Sequence, residues 1–220
     1  MNWDFITFFG DSTLLVPTAI LMFLVFCFSS HGWIVAKHWI LTFCTVGFFV
    51  CLSKIAFMGW GIGSKTFDFT GISGHTALSS TFWPVFLWIS TKKRSQWICM
   101  AGRILGISIP LIVGFSRLMV NAHSSSEVII GWFVGFSASA FFLNLQKTNN
   151  SKQLSTFQLA ALMFTPFLLI KTETKAPATE FLEHISVMIS SSQSPFTRND
   201  LNNIKSSKHS LPSSNTLMHP

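Results

Sequence analysis

The sequence predicts an all-α membrane protein: a six-helix transmembrane bundle followed by a disordered C-terminal tail. Three observations predict it. Of the 220 residues, 49% are apolar and 10% charged. A soluble domain carries about 25% charged residues, so the bilayer is the main solvent of this chain. Apolar runs recur from Thr13 to Ile170, most of them near the roughly 20 residues that a helix needs to cross a bilayer. Positive charges concentrate in alternate gaps between those runs, as the positive-inside rule requires.

The first run spans about Thr13 to Phe28 and is preceded by Asp4 and Asp11, with no Lys or Arg. A cleaved signal peptide needs a positive leading region. This run is therefore expected to be an anchor with its amino end outside the cytoplasm. The second run spans about Trp39 to Trp60, the third Thr76 to Ile89, the fourth Trp97 to Phe115 and the fifth Val128 to Leu145. The sixth, Phe157 to Ile170, is short and contains Pro166. The third and sixth runs span the bilayer only if polar residues buried in protein complete them. Lys37, the Lys92-Lys93-Arg94 cluster, Lys147 and Lys152 then mark cytoplasmic gaps, while Lys54, Lys65 and Arg117 lie on the other side.

Residues 1–172 form the expected membrane domain, and residues 173–220 a second region. There Phe181, Leu182, Ile185, Met188 and Ile189 recur at helical spacing. That pattern predicts a short amphipathic helix over Ala178 to Ser190, lying on the membrane. From Ser190 onward the chain is rich in Ser, Asn, Pro and Lys, a composition that reads as disordered.

Composition also excludes functions. The net charge of +7 sits in short gaps, without the basic stripe and interleaved aromatics of a nucleic-acid-binding surface, so no nucleic-acid partner is expected. Cys27, Cys44, Cys51 and Cys99 lie in or beside apolar runs, with no CxxC pair and no zinc spacing. They read as small buried hydrophobes. The 24 phenylalanines suit a lipid-facing surface, and with no tyrosine present tryptophan supplies the interfacial anchoring.

Two polar motifs interrupt the apolar pattern, both in gaps assigned to the outer side. The first is Gly71-Ile72-Ser73-Gly74-His75, immediately before the third helix. The second begins at Ser116-Arg117, after the fourth helix, and continues through Asn121, His123 and Glu127. Lys54 closes the second helix on the same side. A helix start presents free N–H groups and a partial positive charge. Ser73 is a natural N-cap there, and Gly74 permits close approach of a ligand. The start of the third helix is thus a candidate phosphate cradle. Arg117 adds a donor fork and Lys54 a point charge. Lys54 also reads as a lysine snorkelling to the headgroups. Asn121 is read as the cap of the fifth helix, and Asp68 as a turn residue. If the fifth helix begins near His123, then His123 and Glu127 share one face. A carboxylate on one ring nitrogen fixes the tautomer and frees the other to attack. His75, beside the cradle, is placed to protonate a leaving oxygen.

Ser73-Gly74-His75 resembles the second motif of the type 2 phosphatidic acid phosphatase and vanadium haloperoxidase superfamily. Ser116-Arg117, His123 and Glu127 resemble its third motif. The resemblance covers about Trp39 to Leu145. It implies a metal-independent reaction, without cofactor, through a phosphohistidine. By that resemblance His123 is the nucleophile, His75 the general acid and Glu127 the group that orients His123, while Lys54, Ser73, Gly74 and Arg117 bind the phosphoryl group. The sequence departs from the pattern at three places. Gly61 and Ile62 stand where the first motif has Arg-Pro, Ile72 where the second has Pro, and Glu127 where the third has Asp.

The expected partners are membrane lipids and a lipid phosphate substrate such as undecaprenyl diphosphate, phosphatidate, phosphatidylglycerophosphate or a lipid A phosphate. The expected location is a bacterial-type inner membrane with the site on the periplasmic or extracytoplasmic face. Two alternatives stand beside a hydrolase. One is a lipid-dependent phosphotransferase, and the other is a non-catalytic protein that binds lipid phosphate.

Overall fold

A computed structural model describes residues 3–28, 32–147, 164, 177–190 and 194–201. Among these the chain is helical, with one isolated bridge between Ser64 and Phe69. In chain order the helices are α1 (Trp3–Phe8), α2 (Ser12–Phe28), α3 (Gly32–Trp60), α4 (Gly74–Thr91), α5 (Gln96–Met119), α6 (Ser125–Leu145) and α7 (Pro177–Ser190). Four stretches are long and apolar enough to cross a membrane: Trp3–Phe28, Gly32–Trp60, Gln96–Met119 and Ser125–Leu145. The expected sixth run falls outside the described residues except for Phe164.

The third predicted helix, α4, is the centre of the bundle. It packs against α5 and α6, and also meets α2 and α3. Thr76, Ser79, Ser80 and Thr81 on α4 are fully buried, which explains why α4 is not among the stretches apolar enough to cross a membrane by composition. Two of these hydroxyls bond within the helix, Ser79 to the Thr76 carbonyl at 3.1 Å and Thr81 to the Ala77 carbonyl at 2.8 Å. Close approach depends on glycine in the neighbours. A side chain at Gly135 of α6 would sit 2.4 Å from the Ala77 carbonyl oxygen, and one at Gly106 of α5 would sit 3.0 Å from the Pro84 backbone.

Away from the site, Trp39 of α3 is fully buried and donates to the Ala19 carbonyl of α2 at 3.0 Å. Phe43, Phe82 and Phe142 surround its ring at 5.5–6.1 Å. This aromatic cluster ties α3, α4 and α6 into one core. The outer faces carry exposed Phe28, Trp97 and Phe133, as expected of a surface that meets acyl chains rather than water.

Several helix ends differ from the sequence expectation. α3 begins at Gly32, so Lys37 and His38 lie inside the helix rather than in a gap. α3 ends at Trp60, as the second run was expected to, so Lys54 lies inside its last two turns rather than closing the helix. α5 continues to Met119, so Ser116 and Arg117 belong to its final turn and not to a following loop. Lys54, Ser116 and Arg117 sit inside helices because those turns face protein, where apolar periodicity carries no signal, whereas Lys37 is exposed.

The region after Ile170 also differs in part. α7 forms as predicted and packs against α3. Residues 194–201 of the polar tail, expected to be disordered, instead lie against the bundle. Phe196 donates its N–H to the Met58 carbonyl at 2.7 Å, and its ring meets Phe57 edge-on at 5.7 Å.

Candidate active site

The two polar motifs meet at one end of the bundle. Antiparallel α3, α4, α5 and α6 bring the 61–73 and 120–124 connections to the same end, where hydrogen bonds join the first connection to the start of α6. The Ser73 N–H donates to the Glu127 carbonyl at 3.3 Å, the Thr70 N–H donates to Glu127 Oε1 at 2.8 Å, and Ser126 Oγ donates to the Phe67 carbonyl at 2.7 Å.

His123 and Glu127 form the tightest pair. His123 Nδ1 lies 2.6 Å from Glu127 Oε2. An ionised carboxylate only accepts, so Nδ1 carries the proton and Nε2 is left with its lone pair. The two residues do not share a helical face, because α6 begins at Ser125 and His123 precedes it. Their approach comes from a capping box instead. Ser124 is the N-cap, its Oγ accepts from the Glu127 N–H, and Glu127 Oε2 accepts from the Ser124 N–H at 3.2 Å. Asn121 is therefore not the cap. It takes a left-handed backbone (φ 51°) where the chain turns out of α5.

Glu127 is fully buried. A buried carboxylate is tolerated only when paired and hydrogen-bonded. Its Oε1 accepts from the Thr70 N–H, from Thr70 Oγ1 and from Arg198 Nη2, the last at 2.8 Å. His123 is also largely buried, and burial holds its pKa below the ordinary imidazole value of 6.5. Glu127 opposes that shift, while the positive charges of Lys54 and Arg117 add to it. At neutral pH the ring is neutral.

His75 lies in the first turn of α4, with Nε2 3.5 Å from Asp11 Oδ2. Asp11 comes from the break between α1 and α2, where its other oxygen holds the Thr13 N–H at 2.8 Å. Trp83 pins the same break by donating to the Phe9 carbonyl at 2.9 Å, and Gly10 packs against His75. The charges of His75, Arg117 and His123 act on one another.

Lys54, Thr70, Gly71 and His123 line a cavity of about 360 Å³, together with residues of the tail. Gly71, with φ 143°, brings the loop onto Lys54; a side chain there would lie 3.1 Å from Lys54 Cγ. Arg117 Nε is buried without a hydrogen-bond partner. Such a group normally finds one, so a bound anion is a natural complement. Ser73 and Gly74 differ from the expected cradle. Ser73 is the N-cap by backbone, but its hydroxyl bonds Thr76 Oγ1 at 2.9 Å rather than the helix N–H groups. The space beside Gly74 is filled by Val50. Neither residue lines the cavity.

Sequence reasoning did not find Asp11 as a partner of His75, or Thr70 and Arg198 as partners of Glu127. The faint signals were an acid at the break between two apolar stretches, and the Thr197-x-x-Asp200 pattern in the tail. That pattern folds into a capping turn, with the Thr197 N–H donating to Asp200 Oδ2 at 2.9 Å.

The family model described as the PAP2 superfamily matches residues 58–151. A Klebsiella pneumoniae protein named "Uncharacterized 22.5 kDa protein in cps region" is 43% identical over 204 residues, covering 91% of this chain and 98% of that protein. No solved structure matches the chain.

Proposed function

The chain belongs to the PAP2 superfamily, and on that premise we propose that it is a membrane-embedded phosphatase acting on a lipid phosphate or diphosphate through a phosphohistidine at His123. The observation that carries this reading is the 2.6 Å contact between His123 Nδ1 and the buried carboxylate of Glu127. It fixes the tautomer that leaves Nε2 free to attack.

The proposed reaction has two steps. Nε2 of His123 attacks phosphorus and forms an N–P bond, while the bond from phosphorus to the lipid oxygen breaks. His75 gives its proton to that leaving oxygen. Water then attacks phosphorus, passing a proton back to His75, and the N–P bond breaks to release inorganic phosphate. Glu127 stabilises the positive charge that develops on His123 during the attack. Lys54 and Arg117 offset the charge on the equatorial phosphoryl oxygens. Positioning and charge supply most of the acceleration in such transfers.

The site lies at one end of an apolar bundle, which suits a substrate whose tail stays in lipid. The opposite end carries Lys92, Lys93, Arg94 and Lys147. By the positive-inside rule that end is cytoplasmic, and the site faces the periplasmic or extracytoplasmic side of a plasma membrane. α4 and the sixth apolar run complete the spans in this reading.

The test is phosphate release by purified protein across undecaprenyl diphosphate, phosphatidate, phosphatidylglycerophosphate and lipid A, with the His123→Ala variant as blank. Release that survives in that variant overturns the mechanism. Phosphoryl appearing on an added acceptor lipid instead of in solution identifies a phosphotransferase.

A further inference from the structure

We propose that Arg198 is a positioning residue for the His123 chemistry: it clamps Glu127 from the side opposite the imidazole, and the segment that carries it forms a wall of the catalytic cavity. This rests on the reading of His123 as nucleophile, and it adds a residue from far along the chain.

The geometry is specific. Arg198 Nη2 lies 2.8 Å from Glu127 Oε1 and 3.3 Å from Thr70 Oγ1, while Nη1 lies 3.2 Å from Asp68 Oδ2. The fork thus joins two carboxylates, one of them fully buried. Its position is set by neighbours on both sides. Phe196 is hydrogen-bonded to Met58 and stacked edge-on against Phe57, and its ring fills the space beside Gly61 at 3.3 Å. Thr197 and Asp200 close the turn that presents the arginine. Pro195, Phe196, Thr197 and Arg198 line the same cavity as Lys54 and His123.

Each oxygen of Glu127 therefore has a separate duty. Oε2 holds the imidazole and the Ser124 N–H, and Oε1 is held by Thr70 and Arg198. With both terminal nitrogens engaged by carboxylates, Arg198 acts as a clamp rather than as a free anion ligand. Its positive charge also draws on the carboxylate that would otherwise favour a protonated ring. The other charges facing His123 are Lys54 on α3, Arg117 on α5, His75 on α4 and Glu183 on α7, with Asp68 behind Arg198. Removing Arg198 leaves Glu127 with its full pull on the imidazolium, so His123 holds its proton to higher pH.

The experiment compares wild type, Arg198→Ala, Arg198→Gln and Arg198→Lys as full-length protein in detergent micelles. Turnover is read on the lipid phosphate that the wild type hydrolyses best, and ¹⁵N-histidine NMR follows the His123 titration without substrate. For Arg198→Ala and Arg198→Gln we expect kcat to fall roughly ten- to hundredfold. We also expect KM to change by less than about threefold, and the acidic limb and the His123 titration to move up by about one unit. Arg198→Lys keeps the charge and should leave the titration near wild type, with part of kcat restored. If the alanine variant fails to fold, the Gln and Lys pair carries the comparison. Variants that match wild type in both kcat and titration overturn the proposal. A wild type that is inactive on every lipid phosphate overturns the phosphatase reading instead, and the NMR titration still decides whether Arg198 controls the dyad.

Discussion

The backbone N–H of Ser73 donates to the backbone carbonyl of Glu127 at 3.3 Å. That bond joins the residue before α4 to the first turn of α6, so the two motif histidines are positioned by one shared piece of main chain.

Replacing His123 by alanine should lower phosphate release by roughly a thousandfold or more, because the nucleophile and its activation disappear together. Glu127→Gln keeps the shape but loses a charge-assisted bond, and should cost roughly ten- to a hundredfold in kcat. Steady-state kinetics on one lipid phosphate checks both. A Glu127→Gln enzyme that turns over at the wild-type rate would show that the carboxylate charge is irrelevant.

The rate should rise with pH as His123 loses its proton, since only the neutral ring attacks. Burial and two nearby cations keep its pKa under 6.5. The acidic limb of kcat/KM should therefore have its midpoint below that value. Lys54→Met removes one of those cations, so the limb should shift upward in that variant. A midpoint above 6.5 in the wild type would contradict the burial argument.

Asp11→Asn should lower kcat about tenfold with little change in KM, because the neutral amide no longer offsets the charge of a protonated His75. The amide oxygen still accepts from the Thr13 N–H, so the start of α2 should hold. Asp11→Ala loses both functions and should also reduce stability by about 1 kcal/mol. Thermal unfolding in detergent separates the two variants.

Gly135→Ala places a methyl 2.4 Å from the Ala77 carbonyl oxygen and 2.5 Å from Ser80 Cβ. Forcing α4 and α6 apart should destabilise the bundle by about 1–3 kcal/mol. Gly47→Ala on α3 meets nothing within 4 Å and should leave the melting temperature unchanged or slightly raised. Equal melting of the two variants would disprove close α4–α6 packing.

The helices were legible in the sequence because apolar runs report lipid contact directly. Their ends were not. Arg117 and Lys54 lie inside helices whose last turns face protein, where a charge no longer marks a loop. His123 and Glu127 were legible as a pair by their spacing, but not the reason they meet. An i,i+4 interval fits a helical face and a capping box equally well, and only the backbone conformation of Ser124 separates the two. Ser73 was legible as an N-cap by position, although its hydroxyl turned to Thr76. Asp11 and Arg198 were not legible as site residues, since 64 and 75 positions of chain separate them from the histidines they serve. In the tail, polar composition concealed one aromatic anchor and one well-placed charge, and two such residues suffice to seat a short segment.

Glu127 caps a helix start and steers an imidazole with one and the same oxygen, Oε2. Folding and turnover are thereby coupled at a single position. A lineage drifting away from catalysis could not discard this acid without loosening the fold, so its retention in a relative is by itself no proof of activity there. His123 carries no such second duty, and its loss is the cleaner mark of a descendant that has given up chemistry.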